Sequence, residues 1–183
     1  MASRNTLLLL FLILVIAMIA LVFHLSAQRP EAPELVATTP TSDPAAPVAA
    51  RTIPVTLYAY DARLDTDTTG NVLCSAKGLV PVGRVIPETD APMRAALELL
   101  LRDPLTSDER ARGLSTEFPL QGVTIEDVNI SGDTATIEIA DPDNKLSGGS
   151  CRVSVLRARL EATAKQFKDI TDVRFLPEDV LEP

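Results

Sequence analysis

The apolar residues of this chain fall into two stretches, and the segment between them has no apolar period. Leu7–Phe23 is an unbroken apolar run without a charge, whereas from Ile53 to Pro183 apolar residues recur at the periods of strands and helices. The intervening residues 26–52 carry five prolines and many alanines and threonines. Such a segment cannot bury a core, so we expect a disordered linker over 26–52 and one folded domain over 53–183.

The apolar run is long enough to cross a membrane. A transmembrane helix needs about 20 apolar residues, with a lower limit near 17, whereas the core of a cleaved signal peptide has about 7–15. We therefore expect residues 7–25 to form an uncleaved signal anchor; cleavage after Ala27 and a buried helix are the alternatives. Arg4 precedes the run and acidic residues follow it, which places residues 1–6 in the cytoplasm and the rest of a single-pass chain outside the cell membrane.

Two strands and a helix are predicted in the first half of the domain. Apolar and polar residues alternate over 53–60, which is typical of a strand, and Pro54 places this strand at a sheet edge. A second strand is expected over 79–86. Asp90 is expected to cap a helix that Pro104 ends. One face of this helix collects Met93, Ala96, Leu97, Leu100 and Leu101.

The second half of the domain predicts a hairpin, a long helix and a last strand. The hairpin pairs residues 123–130 with 134–139, and a change of parity in its first strand indicates a bulge near Glu126-Asp127. Ser150 is expected to cap a helix over 150–168, and a short strand follows at 173–176. The fold class is therefore α+β in the order β-β-α-β-β-α-β, a small mixed or antiparallel sheet with two helices packed on one face.

Composition and charge remove several classes of function. The chain has 17 Lys and Arg against 25 Asp and Glu, a formal net charge of −8, which argues against a nucleic-acid partner. Its one histidine, His24, lies just after the apolar run, so histidine catalysis and histidine metal sites are not expected in the domain.

Three short motifs could carry chemistry, and each has a simpler interpretation. Residues 65–70 match the start of a calcium loop, but Thr69 and Ala76 stand where ligands are required, so a solvated hairpin loop is favoured. Residues 147–150 precede a helix without the lysine of a phosphate loop. Adjacent carboxylates such as Glu126-Asp127 point to opposite faces of a strand and make a poor acid-base pair. We therefore expect no catalytic residue, no cofactor and no metal, with a cell-wall hydrolase that uses surface carboxylates as the alternative.

Three blocks of the domain resemble one known family. They are Pro81–Ile86 followed by Met93–Leu101, the hairpin around Gly132-Asp133, and Gly148–Val153 with the helix that follows. In order and spacing they are similar to the sporulation and spore germination (GerMN) domain, over roughly Ile53 to Leu176. The resemblance implies a fold similar to the ring-building motif. It also implies a non-catalytic, membrane-anchored extracytoplasmic domain that serves as an interaction or assembly module of the bacterial cell envelope.

The only two cysteines, Cys74 and Cys151, both fall in the domain expected outside the cell. Disulfides persist in such oxidising surroundings, so we expect an intramolecular bond between them. Buried free thiols and an intermolecular bond are the alternatives.

An envelope protein or a second copy of the chain is the expected partner. The contact surface is predicted at an exposed sheet edge or on the face opposite the helices, because unpaired edges invite another chain. Tyr58, Tyr60 and Arg63 are the candidate contact residues, since tyrosine and arginine are enriched at interfaces. The alternative is that both tyrosines pack under the following loop.

Overall fold

A computed structural model describes residues 51–182 together with Met18 and Ile19. Within these residues the chain forms β1 (Thr52–Tyr60), β2 (Leu79–Pro87), α1 (Pro92–Arg102), α2 (Ser107–Ala111), β3 (Thr124–Ser131), β4 (Thr134–Ala140), α3 (Ser150–Lys165) and β5 (Asp172–Leu176). Two short 3-10 helices, Ala62–Leu64 and Ala76–Gly78, lie between β1 and β2. None of the helices among the described residues is long and apolar enough to span a membrane. The expected signal anchor and linker lie outside the described residues.

The strands form two sheets, which corrects the prediction of one sheet. Strands β1 and β2 make an antiparallel pair, while β3, β4 and β5 form a second sheet in which β3 and β4 are antiparallel and β4 and β5 are parallel. The sheets stay separate because side chains and a loop, not a strand, occupy the outer edge of β1. The amide of Gln166 binds the backbone N–H and C=O of Thr56, and Tyr60 exchanges backbone hydrogen bonds with Ser115. The broader prediction of a mixed α+β fold is confirmed.

The long helices cover the core, although both predicted caps are wrong. All five apolar positions predicted for α1 are buried. Ala91, not Asp90, precedes α1 and has no side-chain cap; the Thr89 hydroxyl instead accepts from the Ala91 N–H. In α3 the cap position is Gly149, since Ser150 already lies in the first turn, and the helix ends at Lys165, three residues before the predicted end.

The hairpin of β3 and β4 has the predicted irregularity. Its register shifts between Ile125 and Asp127, which confirms the bulge. On β4, Ala135, Ile137 and Ile139 are buried as the alternation indicates. Helix α1 packs on β1 and β3, and α3 packs on β1 and β5, so the two helices join the two sheets through a common core.

Candidate functional site

The segment Asp61–Gly78 links β1 to β2 and is called the apolar loop here. Its centre is the carboxylate of Asp65, which is 1% exposed. This carboxylate accepts hydrogen bonds from the Tyr60 hydroxyl at 2.6 Å and from the N–H and hydroxyl of Ser75 at 2.5 and 2.6 Å. Burial would raise the pKa of Asp65, but these donors outweigh it and the pKa is lowered. The loop is therefore built around a buried charge that neutral dipoles stabilise.

The tip of the apolar loop is ordered by a second carboxylate. Asp67 accepts from the N–H and hydroxyl of Thr69 and from the N–H and side-chain amide of Asn71. These bonds hold the pKa of Asp67 well below its usual range. Both aspartates of the calcium-like motif are thus occupied by donors of the loop itself. The described part of the chain contains no group of three or more acidic, histidine or cysteine side chains that could hold a metal ion.

A covalent link ties the apolar loop to α3. The sulfurs of Cys74 and Cys151 lie at bonding distance, and their Cα atoms are 5.1 Å apart, within the usual range for a disulfide. Cys74 adopts a left-handed backbone with φ of 57°, which turns its side chain out of the loop toward α3. The bond closes 77 residues of sequence and removes much of the freedom of the loop.

The name of the loop comes from three large apolar side chains that it exposes. Leu64 is 60% exposed, Leu73 is 48% exposed and Val72 is 45% exposed. They stand on a segment that hydrogen bonds and a disulfide hold in place. Exposed apolar side chains grouped on an ordered segment are typical of a contact surface.

A cavity of about 410 Å³ lies beside the loop, between α3 and the segment that follows α2. It is called the Arg159 cavity because the side chain of Arg159 forms part of its wall and is only 3% exposed. The guanidinium donates to the Tyr58 carbonyl and to the Thr116 hydroxyl, each at 2.5 Å, and lies 4.5 Å from the centre of the Phe118 ring. Burial lowers the pKa of Arg159 to about 10, and the more distant Glu117 offsets only part of this. No carboxylate of the described residues forms an ion pair with it.

A second cluster of charges, with Glu109 buried and Arg84 and Asp103 half-buried, lies at the junction of β2, α1 and α2 and is called the ion-paired joint here. Arg84 donates to Asp103 at 2.5 Å and, through two nitrogens, to both oxygens of Glu109 at 2.7 and 2.8 Å. Glu109 also completes a capping box with Thr106 at the start of α2. The Arg84 guanidinium lowers the pKa of Glu109 to about 2. The joint satisfies its own charges and offers nothing to a ligand.

The three predicted contact residues lie at the base of the apolar loop. Tyr60 is 7% exposed, and its ring lies so close to Gly78 that a Cβ there would approach it to 2.3 Å. Tyr58 is half-buried, and Arg63 is exposed but pairs with Asp61 at 2.6 Å. The packing of Tyr60 leaves little of its surface accessible. A role of Tyr58 and Arg63 in binding stays a prediction.

The sequence interpretation missed Arg159 and the exposed leucines. Arg159 sits three residues after Leu156 and one before Leu160, so its place beside the apolar stripe of α3 was a signal of burial. The exposed side chains of the loop also had a signal in the sequence, since they are apolar residues within a polar segment: Leu64, Val72 and Leu73.

Comparison with known proteins agrees with the resemblance. The family model Germane, described as sporulation and spore germination, matches residues 56–180. The first GerMN domain of the sporulation protein GerM from Bacillus subtilis is 18% identical, with a TM-score of 0.46 over 67% of this chain and 80% of that chain. The tandem GerMN domains of the same protein are also 18% identical, with a TM-score of 0.49 over 81% of this chain and 45% of that one. No curated protein matches. Since the family match spans more than half of the sequence, the chain belongs to the Germane family of sporulation and spore germination domains.

Proposed function

We propose that this protein is a non-catalytic, membrane-anchored module that binds a protein partner through its apolar loop during assembly of the bacterial cell envelope. The observation that carries the proposal is the exposure of Leu64, Val72 and Leu73 on an ordered loop. Membership of a sporulation and spore germination family supports an envelope process.

The order of the loop supports a binding role because it lowers the cost of association. A flexible segment loses conformational freedom when it binds, whereas a segment held in its bound shape loses little. Here the carboxylates of Asp65 and Asp67 accept hydrogen bonds from backbone N–H groups of the loop. The disulfide between Cys74 and Cys151 attaches the loop to α3. The apolar side chains can therefore contribute their burial to binding, about 25 cal/mol for each Å² removed from water.

Strand addition at β1 is the less suitable mode of contact. The outer edge of this strand already binds the side chain of Gln166, the guanidinium of Arg159 and the backbone of Ser115. A partner strand would have to displace all three. The apolar loop needs no such displacement.

Two features support the proposed extracytoplasmic location of the domain: the apolar run with the charges around it, and the disulfide. The uncharged run Leu7–Phe23 supplies the anchor, and the charges around it set the orientation. A disulfide is stable in an oxidising compartment and rare in the cytoplasm. Each of these supports an extracytoplasmic domain.

Site-specific photocrosslinking in intact cells tests the proposal. A photoreactive residue at Leu73 should yield a protein adduct, and the same residue at Val85 should not. Val85 is the matched control because it is 62% exposed and pairs with Pro54, at the end of the β1-β2 hairpin remote from the loop. The double variant Leu64→Ser, Val72→Ser should remove the adduct while Val85→Ser keeps it.

The size and composition of the adduct decide between a second copy of this chain and a different envelope protein. Equal adducts from positions 73 and 85, or none from any of the three apolar loop positions, would overturn the proposal.

A further inference from the structure

We propose that the Arg159 cavity is a binding site for a single carboxylate group, held by the guanidinium of Arg159. This inference goes beyond the proposed function, since it concerns a different surface and does not require the apolar loop to bind anything. Three features of the cavity support it: a buried charge without an ionic partner, a helix start without a side-chain cap, and an excess of one positive charge among the lining residues.

The first feature is the incomplete pairing of Arg159. Charges that are almost wholly buried are normally paired, because removing them from water is costly. Arg159 has only two neutral acceptors, the Tyr58 carbonyl and the Thr116 hydroxyl, which its Nε and Nη1 use. Within residues 51–182, Nη2 donates to no acceptor. A nitrogen with free donors at the wall of a cavity is suited to receive an anion.

The second feature is the start of α3 in the same cavity. Gly149 and Cys151 line it, and no side chain caps the first turn of this 16-residue helix. Free N–H groups at a helix start attract negative charge. Cys151, Val155 and Arg159 follow at intervals of four, so they share one face of α3, with a rise of about 12 Å between the backbones of residues 151 and 159. Side chains on a helix tilt toward its N-terminus, so the Arg159 side chain leans back toward the helix start.

The third feature is the charge balance, which selects the class of anion. Besides Arg159, the charged residues that line the cavity are Arg152 and Glu117, and these pair with each other at 2.9 Å. Among the described residues, one positive charge of the cavity, that of Arg159, therefore has no carboxylate partner. A carboxylate neutralises it, whereas a phosphate dianion would bring excess negative charge beside Glu117. The apolar wall of Val155 and the Cys151 disulfide suits an acid with a short aliphatic chain.

The carboxylate can come from a free organic acid or from an acidic side chain of a protein, and one experiment separates them. The ¹⁵N-labelled full chain in detergent micelles is titrated with propionate, and the arginine Nε–H signals are followed by NMR. The signal of Arg159 is assigned by its loss in Arg159→Lys. Propionamide, which lacks the charge, is the control ligand. A blocked alanine-rich pentapeptide with a central glutamate tests the protein source, and its glutamine analogue is the matched control.

If Arg159→Lys does not fold, a pair of variants at Val155 provides an independent test. In Val155→Glu a carboxylate stands four residues before Arg159, in the favourable orientation for a helical pair, and should occupy the cavity from within. This variant should melt at a higher temperature than Val155→Gln and should show no response to propionate, while Val155→Gln still responds. Where Arg159→Lys folds, its affinity for propionate, followed by the backbone amide signals of the first turn of α3, should fall by about tenfold, the value of one charge-assisted hydrogen bond.

Saturable movement of the Arg159 signal with propionate and not with propionamide supports the proposal. Tighter binding of the glutamate peptide than of propionate assigns the site to a protein partner, and the reverse assigns it to a free acid. Three results would overturn the proposal: no response to either acid, equal responses to propionate and propionamide, or a response to inorganic phosphate alone. Failure of the crosslink at Leu73 would leave this outcome unchanged, so the two proposals fail separately.

Discussion

The ion-paired joint and the Arg159 cavity solve the same problem in opposite ways. Arg84 is half-buried and pairs with two carboxylates, whereas Arg159 is buried and pairs with no carboxylate of residues 51–182. In the joint, Arg84 pairs with two carboxylates of the same chain, those of Asp103 and Glu109. These ion pairs hold β2 against α1 and α2. In the cavity, the charge is only partly satisfied by neutral groups, and the nearby Asp65 is likewise stabilised by neutral donors.

Stability and binding therefore reside in different parts of this fold. A buried charge with internal partners contributes to stability through those partners and has no free donor or acceptor for a ligand. A buried charge without internal partners lowers the free energy of unfolding. That free energy rises when a ligand supplies the missing group. The end of the molecule that holds the cavity and the apolar loop is held by hydrogen bonds to buried or ordered carboxylates and by the disulfide, with no buried ion pair among its described residues.

The disulfide should make the largest contribution. The double variant Cys74→Ala, Cys151→Ala should lose up to about 4.5 kcal/mol of unfolding free energy, the value that loop-closure entropy gives for a sequence separation of 77. Urea unfolding of the full chain in micelles, followed by circular dichroism, measures it. Hydrogen exchange should quicken first in the apolar loop and last at the ion-paired joint. A uniform increase over both regions would contradict the contrast between them.

The two arginines should respond differently to the same substitution. Arg84→Met leaves Glu109 and Asp103 without a partner and should cost about 3 kcal/mol. Arg159→Met removes an unpaired charge and orphans two neutral acceptors, so it should cost only about 1 kcal/mol. Arg102→Met is the surface control, since the Arg102 side chain is 72% exposed, and should change stability by less than about 0.5 kcal/mol. Equal losses for Arg84→Met and Arg159→Met would show that Arg159 is as well compensated as Arg84.

The apolar faces of the helices and strands could be predicted from sequence, whereas the ion-paired joint and the Arg159 cavity could not. The apolar face of α1 and the alternation in β4 follow from periodicity, because local spacing decides which residues face a core. The helix caps failed because Ala91 and Gly149 reach the cap conformation without a capping side chain. The separation of the sheets and the place of Arg159 depend on contacts between residues about a hundred positions apart, such as Arg159 with Tyr58, which no local pattern encodes.

The joint should give the domain a distinct acid sensitivity. The pKa of Glu109 falls from 4.5 to about 2 because Arg84 binds its charged form. A lowered folded-state pKa contributes stability above the unfolded-state value, and this stability is lost as the pH falls from 4.5 toward 2. The loss over that window should be about 3 kcal/mol. Urea unfolding at several acidic pH values measures it, and Arg84→Met should flatten the curve while Arg159→Met leaves its slope in place. A curve that Arg84→Met does not alter would assign the acid sensitivity to other carboxylates.

The smallest effect should appear in the titration of Tyr60 at the base of the apolar loop. Burial first, and then the hydrogen bond to Asp65, raise the pKa of Tyr60 from 10.0 to about 12. A raised folded-state pKa means that this contribution to stability is present below pH 10 and is lost as the pH rises through about 12. In Tyr58→Phe, which leaves Tyr60 as the only tyrosine, tyrosinate absorbance after a rapid pH jump should report that midpoint.

Adding Asp65→Asn should lower the midpoint only in part, because the carboxylate is removed and the burial remains. Adding Asp67→Asn instead should leave it in place, since Asp67 binds Thr69 and Asn71 and not Tyr60. A midpoint near the ordinary value of 10 in the folded single-tyrosine variant would mean that Tyr60 is open to water. The base of the apolar loop would then be exposed, and Tyr60 would return to the set of side chains that can touch a partner.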